Sequence, residues 1–406
     1  MPSLDRTERS IPFSDSILSQ FSSDVASLHA TPIAILEEAP TPLVFMREYV
    51  ALSKPVLIRN NAFPLVTLDD IVEGNEDVNL HVDVTPDGHG DTIREVDGEP
   101  MFVMPSSKEM RLDEFRDGLR KQQIMMMNSK SCTTKKSRHI KYDDDGLQTF
   151  SRDNHDIGID IGIGIDGDCD LASQDCPEIL YYSRQNDCLR NELQPLTALF
   201  PPTISFAEEA LNLKPDAVNL WIGNEASVSS MHKDHYENIM CVTAGEKVFT
   251  ICPPSDALYL KEASFPSGTF RKQDRGTDNN TDYNTNTSIW TVDAEMVEDE
   301  EGKHPQMVRW LESDVERLLP PFSEIEQQSY LEQNPLLKHA HPMRVHVRAG
   351  EMLYLPSLWY HRVTQTCETV AVNYWYDMRF DSPGWCTFNL FQHINDDTRR
   401  TLHDSS

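Results

Sequence analysis

Turn residues cut the segment 217–376 into short apolar runs, and that punctuation limits the fold more than any other feature of the chain. Stretches 217–222, 229–244, 246–252, 344–347, 351–355, 361–366 and 369–376 read as strands by alternation or by enrichment in β-branched and aromatic residues. Ala244-Gly245, Cys252-Pro-Pro-Ser255, Ala349-Gly350 and Leu355-Pro-Ser357 separate several of them. Many strands of this kind predict a double-sheet jelly roll or a barrel.

At 406 residues the chain could hold two or three domains, although β-sandwiches and barrels run to about 250 residues as one. The balance of 36 Lys+Arg against 66 Asp+Glu, a formal net of −30, lacks the basic footprint of a general nucleic-acid binder and favours basic partners. Eleven of the acidic residues, against a single arginine, fall in 143–178, so part of that surplus says nothing about a site elsewhere. Eight cysteines, at Cys132, Cys169, Cys176, Cys188, Cys241, Cys252, Cys367 and Cys386, form neither a CxxC pair nor a dense framework, so no zinc ribbon or disulfide scaffold is expected. The first thirty residues hold no apolar leader core, and no run of 18 apolar residues occurs. The expectation is a cytoplasmic or nuclear protein without a membrane partner. The sequons at Asn279 and Asn286 then carry no glycan.

Residues 1–120 read as a lead-in, with 55–59 and 78–84 alternating as strands and 43–53 and 67–73 in helical spacing. Residues 121–178 change texture, through a Met125–Met127 triplet, a Lys/Ser/Thr patch and an Ile/Gly/Asp tract, and are expected to be a disordered insertion. Within it Asp166-Gly-Asp-Cys-Asp170 opens like a calcium loop, but Leu171 and Pro177 occupy the positions that need Gly and Glu. Gly162 and Gly164 lack the third glycine of a dinucleotide fingerprint. Residues 179–395 form the patterned core, interrupted by a flexible polar loop at 271–288, and 396–406 read as a tail.

The sharpest chemical signal is His232-Lys233-Asp234. On a strand, residues i and i+2 share a face, so His232 and Asp234 would project together while Lys233 turns away. One further histidine would complete a facial 2-His-1-carboxylate set, which leaves three adjacent metal positions open, the geometry of non-heme Fe(II) oxygenases. His361 is the candidate, because the strand, proline-broken turn and strand start over 350–360 can return a ligand to the same mouth. With 14 histidines and 66 acidic residues, His-x-Asp alone is weak. Lys247 strengthens it: on a following strand, its ammonium could pair with the distal carboxylate of a dicarboxylate ligand, where the plain alternative is an exposed lysine. His235 faces the other way and reads as structural. Tyr236 either lines a substrate path or belongs to the core; Trp359 and Trp375 read as packing, and Cys241 and Cys252 lack a paired base. His341 and His346 are rival ligands in poorer positions.

The motifs Ser229-Ser-Met-His-Lys-Asp-His-Tyr-Glu-Asn238, Gly245-Glu-Lys-Val-Phe249, Pro253-Pro-Ser-Asp256, Arg348-Ala-Gly-Glu-Met-Leu-Tyr-Leu-Pro-Ser-Leu-Trp-Tyr-His361 and Val372-Asn-Tyr-Trp-Tyr-Asp377 resemble those of the Jumonji-C oxygenases. Among these the chain is most similar to the Jumonji domain-containing protein seven group. The lead-in agrees through Lys54-Pro-Val-Leu-Ile-Arg59, Val84-Thr-Pro-Asp-Gly88, Phe102-Val-Met-Pro105 and Tyr181-Tyr-Ser-Arg-Gln-Asn186. The resemblance implies a mainly β fold with helices, in which a double-stranded β-helix (jelly-roll, cupin) core follows an α/β N-terminal lead-in integral to the catalytic unit. It implies Fe(II), with 2-oxoglutarate and O2 as cosubstrates, and hydroxylation of a protein lysine to give succinate and CO2, with a developmentally regulated GTP-binding protein as substrate. Carried over by position, His232, Asp234 and His361 match the iron ligands. Lys247 matches the partner of the 2-oxoglutarate C5 carboxylate, and Tyr182, Ser229, Asn238 and Asn373 match polar positions that help to hold the cosubstrate. The insertion 121–178 and the lengthened loop 271–288 depart from the group without touching a proposed ligand.

Two other classes compete. A metal-dependent peptidase acting on histone tails could use a zinc-activated water, but the chain has no HExxH helix and no evident general-base Glu beside the ligands. A non-catalytic jelly-roll interaction module would be expected to have lost a ligand or Lys247, and all four are present. The apolar run 385–393 is consistent with a helical homodimer contact.

Overall fold

The structure, a computed structural model, describes residues 13–29, 32–136, 177–274, 288–299 and 302–403. Eleven strands build the scaffold of the site: β1 (Ala34–Leu36), β2 (Val56–Ile58), β3 (His89–Gly90), β4 (Ala217–Gly223), β5 (Val228–His232), β6 (Tyr236–Ala244), β7 (Glu246–Cys252), β8 (Met343–Arg348), β9 (Met352–Leu355), β10 (Tyr360–Gln365) and β11 (Thr369–Asp377). They form one sheet in the order β1-β2-β9-β6-β11-β4 and a second in the order β8-β7-β10-β5-β3. From β4 to β7, and again from β8 to β11, consecutive strands alternate between the sheets, which is the winding of a double-stranded β-helix. The fold is thus mainly β with helices around a jelly-roll core, as expected.

Trp221, Met240, Val242, Phe249, Ile251, Val345, Leu353 and Val363 pack between the two sheets. The first sheet is covered on its other face as well. All of β4 is buried, and so is β11 except Asp377. A strand enclosed on both faces has no reason to alternate, and 369–376 is apolar or aromatic at every position but Thr369 and Asn373. The covering layer comes from the lead-in: Phe45, Ile71, Leu112, Phe115 and Leu119 share one cluster with Leu220, Ile239, Val372 and Tyr374. Each such side chain contributes roughly 1.5–3 kcal/mol relative to an exposed one.

Several expectations change. The stretch 229–244 is not one strand; it leaves the second sheet after His232 and re-enters the first at Tyr236. A boundary at residue 121 cuts through a helix, Leu112–Lys136. On it Gln122 is buried, donating to Asn224 Oδ1 (2.9 Å) and accepting from Leu180 N–H (3.0 Å). A helix that buries only one narrow stripe can be polar elsewhere, so composition hid it. The loop at 271–288 begins and ends inside an antiparallel ladder, Glu262–Asp274 against Ser288–Ala294, and the C-terminal helix Pro383–His403 runs through the boundary at 395. The calcium-like and Gly-x-Gly tracts and both sequons lie outside the described residues. Missed altogether was the hairpin of Thr92–Val96 and Glu99–Met104. Its Asp97-Gly98 turn has φ of 52° and 86°, a strong hairpin signal.

Gly88 ties the lead-in to the core. It sits at φ +89°, its carbonyl accepts from Val228 N–H (2.9 Å), and an added Cβ would overlap Ala226 O. We expect Gly88→Ala to destabilise by about 3 kcal/mol or more, from the left-handed penalty plus the overlap. Gly74→Ala, also at positive φ but in open space, should lose only about 1–2 kcal/mol. Urea denaturation of the two variants checks the difference.

Candidate metal centre

β5 and β10 pair antiparallel with His232 opposite His361, and the ladder shifts register between Ser229 and His232. An irregularity of this kind re-aims the side chains beyond it. Asp234 does not lie on the strand, contrary to the sequence expectation, because the chain is crossing from one sheet to the other there. The corner still brings the carboxylate to the histidines. Asp234 Oδ2 is 4.0 Å from His232 Nε2 and 3.6 Å from His361 Nε2, and the donor atoms of the three residues all lie within 4.8 Å of one another. Asp234 O also accepts from Leu358 N–H (2.9 Å), tying the corner to the turn that precedes His361. Leu358 holds φ +66°, a conformation that costs a leucine about 1–3 kcal/mol and is kept only where the surroundings impose it.

The protonation pattern suits a cation. His232 Nδ1 lies 2.7 Å from Ser230 O and His361 Nδ1 3.0 Å from Trp359 O. A carbonyl can only accept, so each ring donates from Nδ1 and turns Nε2 towards Asp234. Burial, reinforced by the nearby His232, lowers His361 to about 4, so its ring is neutral near pH 7. Two imidazoles and a carboxylate, the donor set found together here among the described residues, fit a divalent metal of the non-heme iron type.

Lys247 is 1% exposed. Its ammonium donates to Tyr181 OH (3.2 Å) and lies over the Tyr181 and Trp221 rings at 5.6 and 5.8 Å. No carboxylate of the described residues pairs with it, and burial lowers its pKa to about 7. Asn238, Asn373 and Ser229 line the same cavity as Lys247, His232, Asp234 and His361. Asn373 donates to Asn238 Oδ1 (3.3 Å) and accepts from Trp221 Nε1 (3.0 Å). Tyr182 does not belong there. It is fully buried in the cluster behind the first sheet, while Tyr181 lines the cavity and bonds Lys247. Adjacent residues of an extended segment point to opposite faces, so a one-residue misplacement exchanges core for site.

Other residues resolve as follows. Lys233 turns away to Glu262, His235 packs against Phe380 and Trp385, and Tyr236 stacks flat on Trp375 at 4.8 Å. His346 bonds Glu246 (3.3 Å) on the strand surface. Phe388 of the 385–393 run is buried against this chain's own core, leaving Leu390 exposed. Trp310 was missed: it stacks on His232 (5.9 Å, 8°) and donates to Ser230 Oγ (3.1 Å). Nothing in its local sequence signals this, since only the tertiary fold brings it beside β5.

Ser22, His341 and Asp256 form an array that superficially suits a nucleophile, with Ser22 Oγ 3.0 Å from His341 Nε2 and Asp256 Oδ1 2.8 Å from Nδ1. The Ser22 hydroxyl donates to His339 O, however, and His341 Nε2 also faces Ser22 O, both at 3.0 Å. Burial works against protonation of His341, but the Asp256 bonds and the carbonyl outweigh it and raise its pKa. With Nε2 turned to the Ser22 carbonyl as well, the ring is not set to take the hydroxyl proton, and the array docks the helix Asp15–Leu28 on the core.

A jelly roll with a His-Asp-His centre and a buried lysine defines a class of metal-dependent oxygenase, and comparison with known proteins agrees. The Cupin-like domain family matches residues 42–382. The human protein named bifunctional peptidase and (3S)-lysyl hydroxylase JMJD7 is 31% identical over 360 residues, 86% of each chain. JmjC domain-containing protein E of Dictyostelium discoideum is 30% identical over 380 residues, covering 89% of this chain and 88% of that one. Lysine-specific demethylase JMJ32 of Arabidopsis thaliana is 37% identical over 218 residues, 53% and 56% of the two chains. The chain belongs to the cupin-like Jumonji-C family, and it is a 2-oxoglutarate-dependent oxygenase.

The Lys247 environment makes a prediction for the ligand-free protein. Its folded pKa, near 7, lies below the ordinary 10.5, so between those values the unfolded chain binds the extra proton and stability rises with pH. Lys247→Met should be the more stable protein at pH 7.5. Its advantage should shrink by about 2 kcal/mol by pH 9.5, as read from urea midpoints.

Proposed function

We propose that this chain hydroxylates a lysine side chain of a protein substrate, with His232, Asp234 and His361 holding Fe(II), Lys247 receiving the distal carboxylate of 2-oxoglutarate, and Ser229, Asn238, Asn373 and Tyr181 shaping the cosubstrate pocket. The observation that carries this reading is Lys247, a buried ammonium without a carboxylate partner in the cavity of a His-Asp-His set. Such a charge persists where a ligand supplies its counter-ion. Bound Fe(II), 2-oxoglutarate and O2 would supply the oxidising power to hydroxylate an unactivated C–H bond, releasing succinate and CO2. The chain's own work is positioning: the Nδ1 bonds aim both imidazoles, and Trp310 confines the His232 ring. Residues 32–120 serve as part of this catalytic unit.

Support for a lysine comes from the mouth, a cavity of about 590 Å³ bordered by Asp83, Asp91, Ser230, His232 and Trp310. Asp91 stands at φ +51°, and burial raises its pKa to about 6. The cations at that mouth have other partners: Arg184 donates to His81 O and Ser107, and Lys233 to Glu262. Asp91 is thereby left to attract an incoming ammonium, with Asp83, which accepts from Ser183 Oγ, adding its charge. The human relative's name includes lysyl hydroxylase, and the GTP-binding proteins implied by the sequence resemblance are the first substrates to try. No feature of the site favours hydrolysis over this reading.

Aerobic incubation with Fe(II), 2-oxoglutarate and lysine-bearing GTPase peptides, followed by mass spectrometry, should give a +16 Da product matched by succinate. His232→Ala should abolish it; full turnover in that variant would refute the ligand assignment. Asp91→Asn should raise KM for the peptide about tenfold, the loss of one charge-assisted hydrogen bond, and leave KM for 2-oxoglutarate unchanged.

A further inference from the structure

Glu262 lies outside the cavity and in none of the motifs, yet its carboxylate reaches both halves of the ligand set. It is 3% exposed. Oε1 accepts from Lys233 Nζ at 2.6 Å and from Tyr360 OH at 2.9 Å, and Oε2 accepts from Arg309 Nε at 2.8 Å. Lys233 is the residue between His232 and Asp234, and Tyr360 immediately precedes His361. We propose that Glu262 is a positioning residue that fixes the spacing of the three ligands from behind, an inference that rests on their reading as metal ligands.

The corner needs such an anchor. Residues 233–235 have left β5 and have not yet entered β6, so no ladder holds them. The Leu358 N–H bond to Asp234 O secures one side, and the Lys233 side chain secures the other. The Lys233 ammonium is further confined over the rings of Tyr360 (5.2 Å) and Phe388 (5.5 Å). Desolvation would push Glu262 towards the neutral form, but Lys233, Arg309 and Tyr360 together outweigh it and hold the carboxyl at about 2. A purely local role would need only Arg309, which lies on Met307–Leu311, the strand paired with Glu262's own. The two bonds from Oε1 leave that pair of strands and end beside the ligands. Glu262 thus acts on the metal through Lys233 and Tyr360, as outer-shell carboxylates do when they orient ligands they do not touch.

The test is Mn(II) affinity by isothermal titration, with the visible spectrum of the Co(II)-loaded protein as an independent report of ligand geometry, on full-length wild type, H232A, E262Q, K233M and Y360F. The expected result is an affinity about 10–100-fold weaker for E262Q, a changed Co(II) spectrum, and smaller losses in the same direction for K233M and Y360F. Wild type binding no better than H232A would overturn the ligand reading, and this inference with it. Binding lost in H232A but retained within about twofold in folded E262Q would overturn the inference alone. If E262Q does not fold, K233M and Y360F decide: both within about twofold of wild type overturns it, and weakened binding in both sustains it.

Discussion

The antiparallel ladder between β5 and β10 is the constraint on which the rest of the site depends, because it sets His232 opposite His361. Side chains alternate along a strand, so a slip of one residue would turn one of these imidazoles to the sheet's other face. The ladder is held in register from inside the barrel. Val363 of β10 pairs with Phe249 of β7, and both are buried between the sheets. The irregularity lies between the Ser229–Val363 and His232–His361 pairs, at the very end of β5.

Around that ladder the charges are arranged unevenly. An ammonium, Lys247, is buried in the cavity, and carboxylates, Asp83 and Asp91, stand at the mouth. Basic residues nearby are drawn to other partners, Lys233 to Glu262 and Arg94 to Asp87. In a low-dielectric cavity such a separation is worth far more than the net charge of the whole chain, which acts mainly through solubility and encounter. Two of these features, the buried lysine and the acidic mouth, are stability liabilities in the ligand-free protein, the pattern expected where a site has been kept for binding rather than for folding.

What the sequence revealed and what it concealed follow physical lines. His232, Asp234 and His361 were readable because their spacing and the turn at Pro356 are local features, yet the reason offered for His232 and Asp234, a shared strand face, was wrong: the corner between sheets brings them together. Tyr181 lines the cavity and Tyr182 the core behind it, and two adjacent tyrosines offer no sequence cue to which one faces inward. The polar composition of the helix Leu112–Lys136 masks a narrow buried stripe, so its C-terminal half resembles the insertion that follows it. Trp310 and Glu262 were invisible, having no motif of their own and acting only through residues distant in the chain.

By itself the sequence determined the class of fold, since short punctuated strands of this number bury their faces as a jelly roll or a barrel, and it determined the donor types available to a metal, since those are properties of individual side chains. Tertiary structure alone decided the rest: which tyrosine meets Lys247, how Asp234 reaches the histidines from outside the strand, and which buried carboxylate stands behind them. Those outcomes depend on register, on the crossing between sheets and on burial, and each arises from contacts between residues that local sequence does not relate.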